Sequence, residues 1–157
     1  MLRRNQPQQN MGLLQKHAQT IEQILASLGI NVQDARVPMD QGNQGYGWHF
    51  QRGSAVIEVY VLLAADERSY LQVLSPIVHL PQNGLLPIYR RMLELNLSLT
   101  NASLGVYNDV VYVFNERPLD GLDANEVNYI IMQLSAYADD IDNQLVNEFG
   151  ARLYNQS

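Results

Sequence analysis

The sequence predicts an α+β fold in which an antiparallel sheet packs against helices. Three features lead there. Two long stretches repeat apolar residues every three or four positions, several short runs rich in Val, Ile and Tyr lie between turn residues, and the helical stretches stand apart from the hairpins. The expected order is helix, three or four strands, helix, two strands, helix, or α-β(3-4)-α-β-β-α.

The first helix is expected from Leu13 to Leu28, where Leu13, Leu14, Ile21, Ile24, Leu25 and Leu28 form one stripe and Gly29 supplies a stop. An extended segment from Asn31 to Val37 then enters a loop from Pro38 to Gly45. Tyr46, Trp48 and Phe50 alternate with polar or small residues, Arg52-Gly53-Ser54 reads as a turn, and Ala55 to Leu63 completes a hairpin. Ser69 to Leu80 is a further strand, with Pro76 expected to turn its second half into an edge or a bend. Pro81-Gln82-Asn83-Gly84 introduces a second helix from about Leu85 to Leu97, with Pro87 in its first turn and a stripe of Leu85, Tyr89, Met92, Leu93 and Leu97.

Asn108-Asp109 joins Ala102–Tyr107 to Val110–Asn115 as a tight hairpin, because both residues accept positive φ. Asp123 and Glu126 have capping-box spacing, and Leu122 and Val127 suit a hydrophobic staple. A last helix then keeps Val127, Ile130, Ile131, Leu134, Ala138, Ile141, Leu145 and Phe149 on one face. At about 1.5 Å per residue it is longer than a small domain needs, so it is expected to overhang, bend or lie across a partner.

The 157 residues are most simply one domain, and the absence of cysteine excludes disulfides, thiolate metal sites and a cysteine nucleophile. Met1 to Met11, with two arginines and a Gln/Asn-rich run, reads as a disordered N-terminal tail over 1–11, followed by a single α+β domain over 12–153. No apolar run of signal-peptide length follows the arginines, and nowhere is an apolar run long enough for a membrane span, so a cytoplasmic protein with no membrane partner is expected. On the same ground the sequons at Asn96, Asn101 and Asn155 are chance matches.

The net charge of -6 is uneven: residues 1–100 hold eight Lys/Arg and seven Asp/Glu, while residues 101–157 hold two and nine. A nucleic-acid partner is excluded, because phosphate binding needs a cationic footprint and the basic doublets are only Arg3-Arg4 and Arg90-Arg91.

Two strands are apolar on both faces. Ile57, Val59, Val61 and Leu63 back onto Val56, Tyr60 and Leu62, and Val110, Tyr112 and Phe114 back onto Val111 and Val113. A sheet face of that kind needs a cover. One of the helices can supply it; otherwise the cover is a second copy of the chain or another partner, and a homodimer is expected because symmetric pairs are the commonest oligomers.

The segment Arg117-Pro118-Leu119-Asp120-Gly121-Leu122-Asp123-Ala124-Asn125-Glu126-Val127, followed by a long helix containing Ala138-Asp139-Asp140, resembles the C-terminal hallmark of the YbjN-like family of bacterial sensory transduction regulators. Trp48-His49-Phe50 and Leu86-Pro87 to Asn96 are similar as well, and the likeness covers most of residues 13–150. That family, and an uncharacterised cyanobacterial and plastid group close to it, resembles type III secretion chaperones. The resemblance implies a secretion-chaperone-like fold with a dimer-forming middle helix. It implies no catalytic or cofactor-binding residue.

Chemistry-bearing residues are sparse. Asp139 and Asp142 share a helical face, but Ala138 and Ile141 claim its buried side, so a solvated face is expected rather than a metal site. Gly42, Gly45 and Gly47 imitate a phosphate loop, yet precede a strand and include no lysine. His17, His49 and His79 fall on different elements, and with no visible convergent constellation the expectation is a noncatalytic protein without cofactor or metal. Tyr60, Tyr70, Tyr89, Tyr107 and Tyr112 suit either an interface or a core.

The function expected is a noncatalytic module that binds a protein or peptide in a chaperone-like or regulatory role, on the sheet, along the middle helix or by strand addition, through Tyr60, Leu62, Tyr89, Met92 and Tyr112. A small-molecule sensor or enzyme with a pocket between sheet and helices, and a structural subunit of a larger complex, are the alternatives.

Overall fold

A computed structural model of the chain describes residues 6–40 and 42–155. Its elements are α1 (Gln6–Ser27), α2 (Val32–Ala35), β1 (Arg36–Val37), β2 (Gln44–Arg52), β3 (Ala55–Leu63), β4 (Ser69–His79), α3 (Leu85–Asn96), β5 (Ser103–Tyr107), β6 (Val110–Pro118), α4 (Ala124–Phe149) and β7 (Arg152–Leu153). The strands form a seven-stranded antiparallel sheet in the order β1-β2-β3-β4-β6-β5, with β7 paired to β4. The fold is therefore α+β with separated hairpins and helices.

Four local details depart from the sequence expectation, each for a physical reason. Helix α1 starts at Gln6 and takes in residues 6–11 assigned above to a tail; Gln is an adequate helix former and Pro7 stands in the first turn, where a missing N–H costs nothing. Residues 1–5 of that tail lie outside the described residues. The extended segment after Gly29 instead opens with the single turn α2, because the Asn31 side chain accepts from the Gln33 and Asp34 amides at 3.1 and 3.5 Å. Strand β4 runs through Pro76 to His79, since Pro76 forfeits one ladder bond while Ile77 and Val78 on either side of the next peptide are fully buried. Beyond α4, the chain returns as β7, whose Leu153 pairs with Val78 and Arg152 with His79.

Other signals appear as their chemistry dictates. Helix α1 closes with Gly29 N–H donating to the Ala26 carbonyl and Ile30 N–H to that of Leu25, the paired bonds of a Schellman end. Asn108 and Asp109 have φ of 48° and 59°, and the hairpin they close pairs Tyr107 with Val110. Asp123 caps α4 by accepting from the Glu126 amide at 2.9 Å. The Glu126 carboxylate does not reach back to complete the box. It is held at 2.8 and 3.0 Å by the Arg117 guanidinium, a bidentate ion pair that outweighs a neutral amide bond.

The chain divides into two compact units. The first comprises Met1–Phe50, Glu58–Gln72 and Glu116–Tyr129, and buries Leu14, Ile21, Leu25, Trp48, Val59, Val61, Leu71 and Leu119. The second comprises Gln51–Ile57, Val73–Asn115 and Ile130–Ser157, and buries Ile57, Val73, Ile88, Val111, Val113, Ile131, Leu134, Ile141 and Leu145. Every residue of the expected α4 stripe is buried except Phe149, which is half-buried.

Candidate functional site

In the first unit, Arg36 and Val37 of β1 pair with Trp48 and Gly47 of β2. Glu22 of α1 fixes this corner. One carboxylate oxygen accepts from Arg36 Nε at 2.7 Å and from the Trp48 indole at 3.3 Å, and the other accepts from Arg36 Nη2 at 2.9 Å. The guanidinium, and then the indole, hold the Glu22 carboxyl below its ordinary range, so it stays ionised. Beside this pair opens a cavity of about 510 Å³, with Tyr46 stacked on Trp48 at a centroid distance of 6.4 Å.

Across Val37 and Met39, which line both, lies a second cavity of about 320 Å³. Its floor carries Tyr60 and Leu62 of β3 and His49 of β2. The Tyr60 hydroxyl is 2.5 Å from His49 Nε2 and 3.0 Å from Glu58 Oε2. A phenol has one proton. Both bonds form together when Tyr60 donates to Glu58 and His49 donates from Nε2, which also stands 3.8 Å from Glu58 Oε2. Gly47 makes room for this arrangement: a Cβ there would stand 2.8 Å from the Tyr60 ring and from Val37 Cγ2. The third member of the supposed phosphate loop is thus a packing glycine. Sequence reasoning missed the convergence of His49, Glu58 and Tyr60 because they share a face only once β2 and β3 pair; the even spacing of Glu58 and Tyr60 was the available signal.

In the second unit, α3 corrects the stripe drawn from sequence. Ile88 and Met92 point into the core, Met92 at 5% exposure, so Met92, placed on the expected partner surface, packs inward here. The opposite face is apolar too. Leu86, Leu93 and Leu97 are 79%, 69% and 91% exposed, and Leu85 and Tyr89 stand partly open beside them. Tyr112 on β6 is half-buried, as are Tyr60 and Leu62 in the first unit. The edge of β5 is guarded: the Asn96 side chain accepts from the Leu104 amide at 2.6 Å and donates to the Leu104 carbonyl at 3.4 Å, occupying backbone groups that an added strand would need.

The acidic cluster is structural. Ser54, in the turn between β2 and β3, has its hydroxyl 2.6 Å from Asp142 Oδ2 and 3.0 Å from Asp139 Oδ1, and its amide donates to Asp139 at 3.0 Å. Asp142 is buried, not solvated as expected, and its Oδ1 has no hydrogen-bond partner. Burial raises its pKa, and a protonated Asp142 supplies the second proton that the Ser54 hydroxyl lacks. Gly53 has φ of 58° and no room for a Cβ against Asp139. His17 is buried in α1, where desolvation, then Lys16 and Arg117, lower its pKa and keep it neutral. His79 stacks on Tyr154 at 5.5 Å. Among the described residues no helix is long and apolar enough to cross a membrane.

Residues 31–157 match the family model TY-Chap1, described as T3SS (YopN, CesT) and YbjN peptide-binding chaperone 1. Among solved structures, a chain of the ExsC–ExsE complex superposes with a TM-score of 0.53 at 14% identity, over 84% of this chain and 95% of that one. A chain of the HopA1–SchA chaperone–effector complex gives 0.55 at 11%, over 81% and 93%. YbjN from E. coli gives 0.53 at 14%, over 86% and 94%. No curated protein sequence matches.

Proposed function

The chain belongs to the TY-Chap1 family of type III secretion and YbjN peptide-binding chaperones, and on that premise we propose that it is a noncatalytic, homodimeric peptide-binding module acting in the cytoplasm. Its role is chaperone-like or regulatory: it covers an apolar segment of a partner protein. Two of the similar structures are complexes, one of them of a chaperone with an effector, which supports a protein partner.

The observation that carries the homodimer is the outer face of α3. Three leucines spaced by seven and four residues, the last of them the C-cap Leu97, lie open to solvent on a helix whose other face is already buried. Arg90 and Glu94, paired at 2.9 Å along the helix, flank the leucines. Two antiparallel copies of such a face bring each Arg90 near the other copy's Glu94, so the surface is self-complementary under a two-fold axis. Tyr89 joins this interface. Tyr60, Leu62 and Tyr112 then belong to peptide-binding surfaces of the sheet, where their half-buried rings and branches add apolar area without further ordering cost. Strand addition at β5 is disfavoured by the Asn96 amide.

Light scattering of the eluting protein tests the dimer. The expected mass is twice 17.8 kDa, falling to the single value when Leu93→Glu and Leu97→Glu are combined; a wild-type mass of one chain rejects it. Peptide binding is tested separately, by fluorescence of Trp48 against an array of apolar peptides.

A further inference from the structure

The smaller cavity of the first unit has a chemistry that the apolar-peptide reading does not use. Its walls include Pro38, Met39 and Leu62, while Asp40, Asn43 and Gln72 stand at its polar side. No lysine or arginine is among its described lining residues, while Asp40 stands in the wall, Glu58 accepts from the Tyr60 hydroxyl, and Glu116 accepts from Gln72 at 2.5 Å. A cavity that sets apolar walls beside amide acceptors and carboxylates fits a long aliphatic stem with a donor-rich cation at its tip.

From this we propose that the cavity is a subsite for one basic side chain, lysine or arginine, of the bound peptide, a refinement that rests on the peptide-binding reading above. The stem lies against Met39 and Leu62, and the cation meets Asp40 and the His49–Tyr60–Glu58 group. The subsite sets the register of the peptide. An apolar segment alone slides along a smooth sheet, whereas a segment with one correctly placed cation does not.

The test uses the full chain, isotopically labelled, titrated with capped pentapeptides of alanine carrying arginine, lysine, norleucine or glutamate at the centre. Arginine and lysine peptides are expected to move the resonances of His49, Tyr60 and Leu62 and to bind about three- to fivefold more tightly than the norleucine peptide, the scale of one half-exposed ion pair. Glu58→Gln, which keeps the acceptor for the Tyr60 hydroxyl, and Asp40→Asn are each expected to remove most of that preference. Equal binding of norleucine and arginine overturns the basic subsite and leaves peptide binding intact. Binding of no peptide, in a protein that also ignores the apolar array, overturns both.

Discussion

Helices α3 and α4 look alike in sequence and behave differently in the fold. In α4 the apolar positions from Val127 to Leu145 all face inward, and the large apolar residue left outside is Tyr129 at 48% exposure. In α3 Ile88 and Met92 face inward while Leu86, Leu93 and Leu97 face water. A helix that hides one stripe is finished by its own chain. A helix that hides one and displays another is finished by something else, and the pattern separates residues that hold the fold from residues held in reserve for association.

The largest effect that separates the two helices is on stability. Leu134→Ala in α4 empties a fully buried site and is expected to cost about 2–5 kcal/mol in urea unfolding, whereas Leu93→Ala in α3 should shift the stability of the single chain by no more than about 0.5 kcal/mol. The opposite contrast holds for association. Combining Leu93→Glu with Leu97→Glu is expected to weaken self-association by at least about 30-fold, equivalent to one strong interface residue, as read by sedimentation equilibrium, while Tyr129→Glu on α4 leaves it unchanged.

A smaller effect distinguishes the far end of α4. Burial holds a proton on Asp142 to higher pH in the folded chain than in the unfolded one, so the folded state binds more protons. Stability is accordingly lost as pH rises from the ordinary carboxylate range through the raised value, and is unaffected below it. Asp142→Asn, which carries the neutral group at every pH, is expected to flatten that decline and to raise the urea midpoint at neutral pH; an unchanged slope contradicts a buried proton. Asp123→Ala removes the N-cap of α4 and should cost about 1 kcal/mol at any pH where the carboxylate is ionised.

Much of this fold is legible in the sequence because its signals are local. The α4 stripe, the Asn108-Asp109 hairpin and the Asp123 cap each lie within a few residues of the structure they direct. What is not legible depends on pairing between distant segments. Strand β7 is two residues long and exists only because β4 offers a partner. The direction of Met92 is fixed by which face of α3 meets the core, a choice that apolar spacing leaves open when both faces are apolar. The same holds for the site: Tyr60 and Leu62 are visible as surface-facing apolar residues and Glu58 neighbours Tyr60 along β3, but His49 meets Tyr60 only through the β2–β3 pairing, and Asp142 is buried against Ser54, 88 residues away in the chain.

The chain has no cysteine, so a single introduced thiol reports on one place alone. Under mild oxidation, Leu93→Cys on the outer face of α3 is expected to form a covalent pair rapidly, at a rate independent of added denatured protein, while Tyr129→Cys on the outer face of α4 remains a single chain. Equal and slow pairing at both positions would contradict the assignment of the α3 face to a second copy.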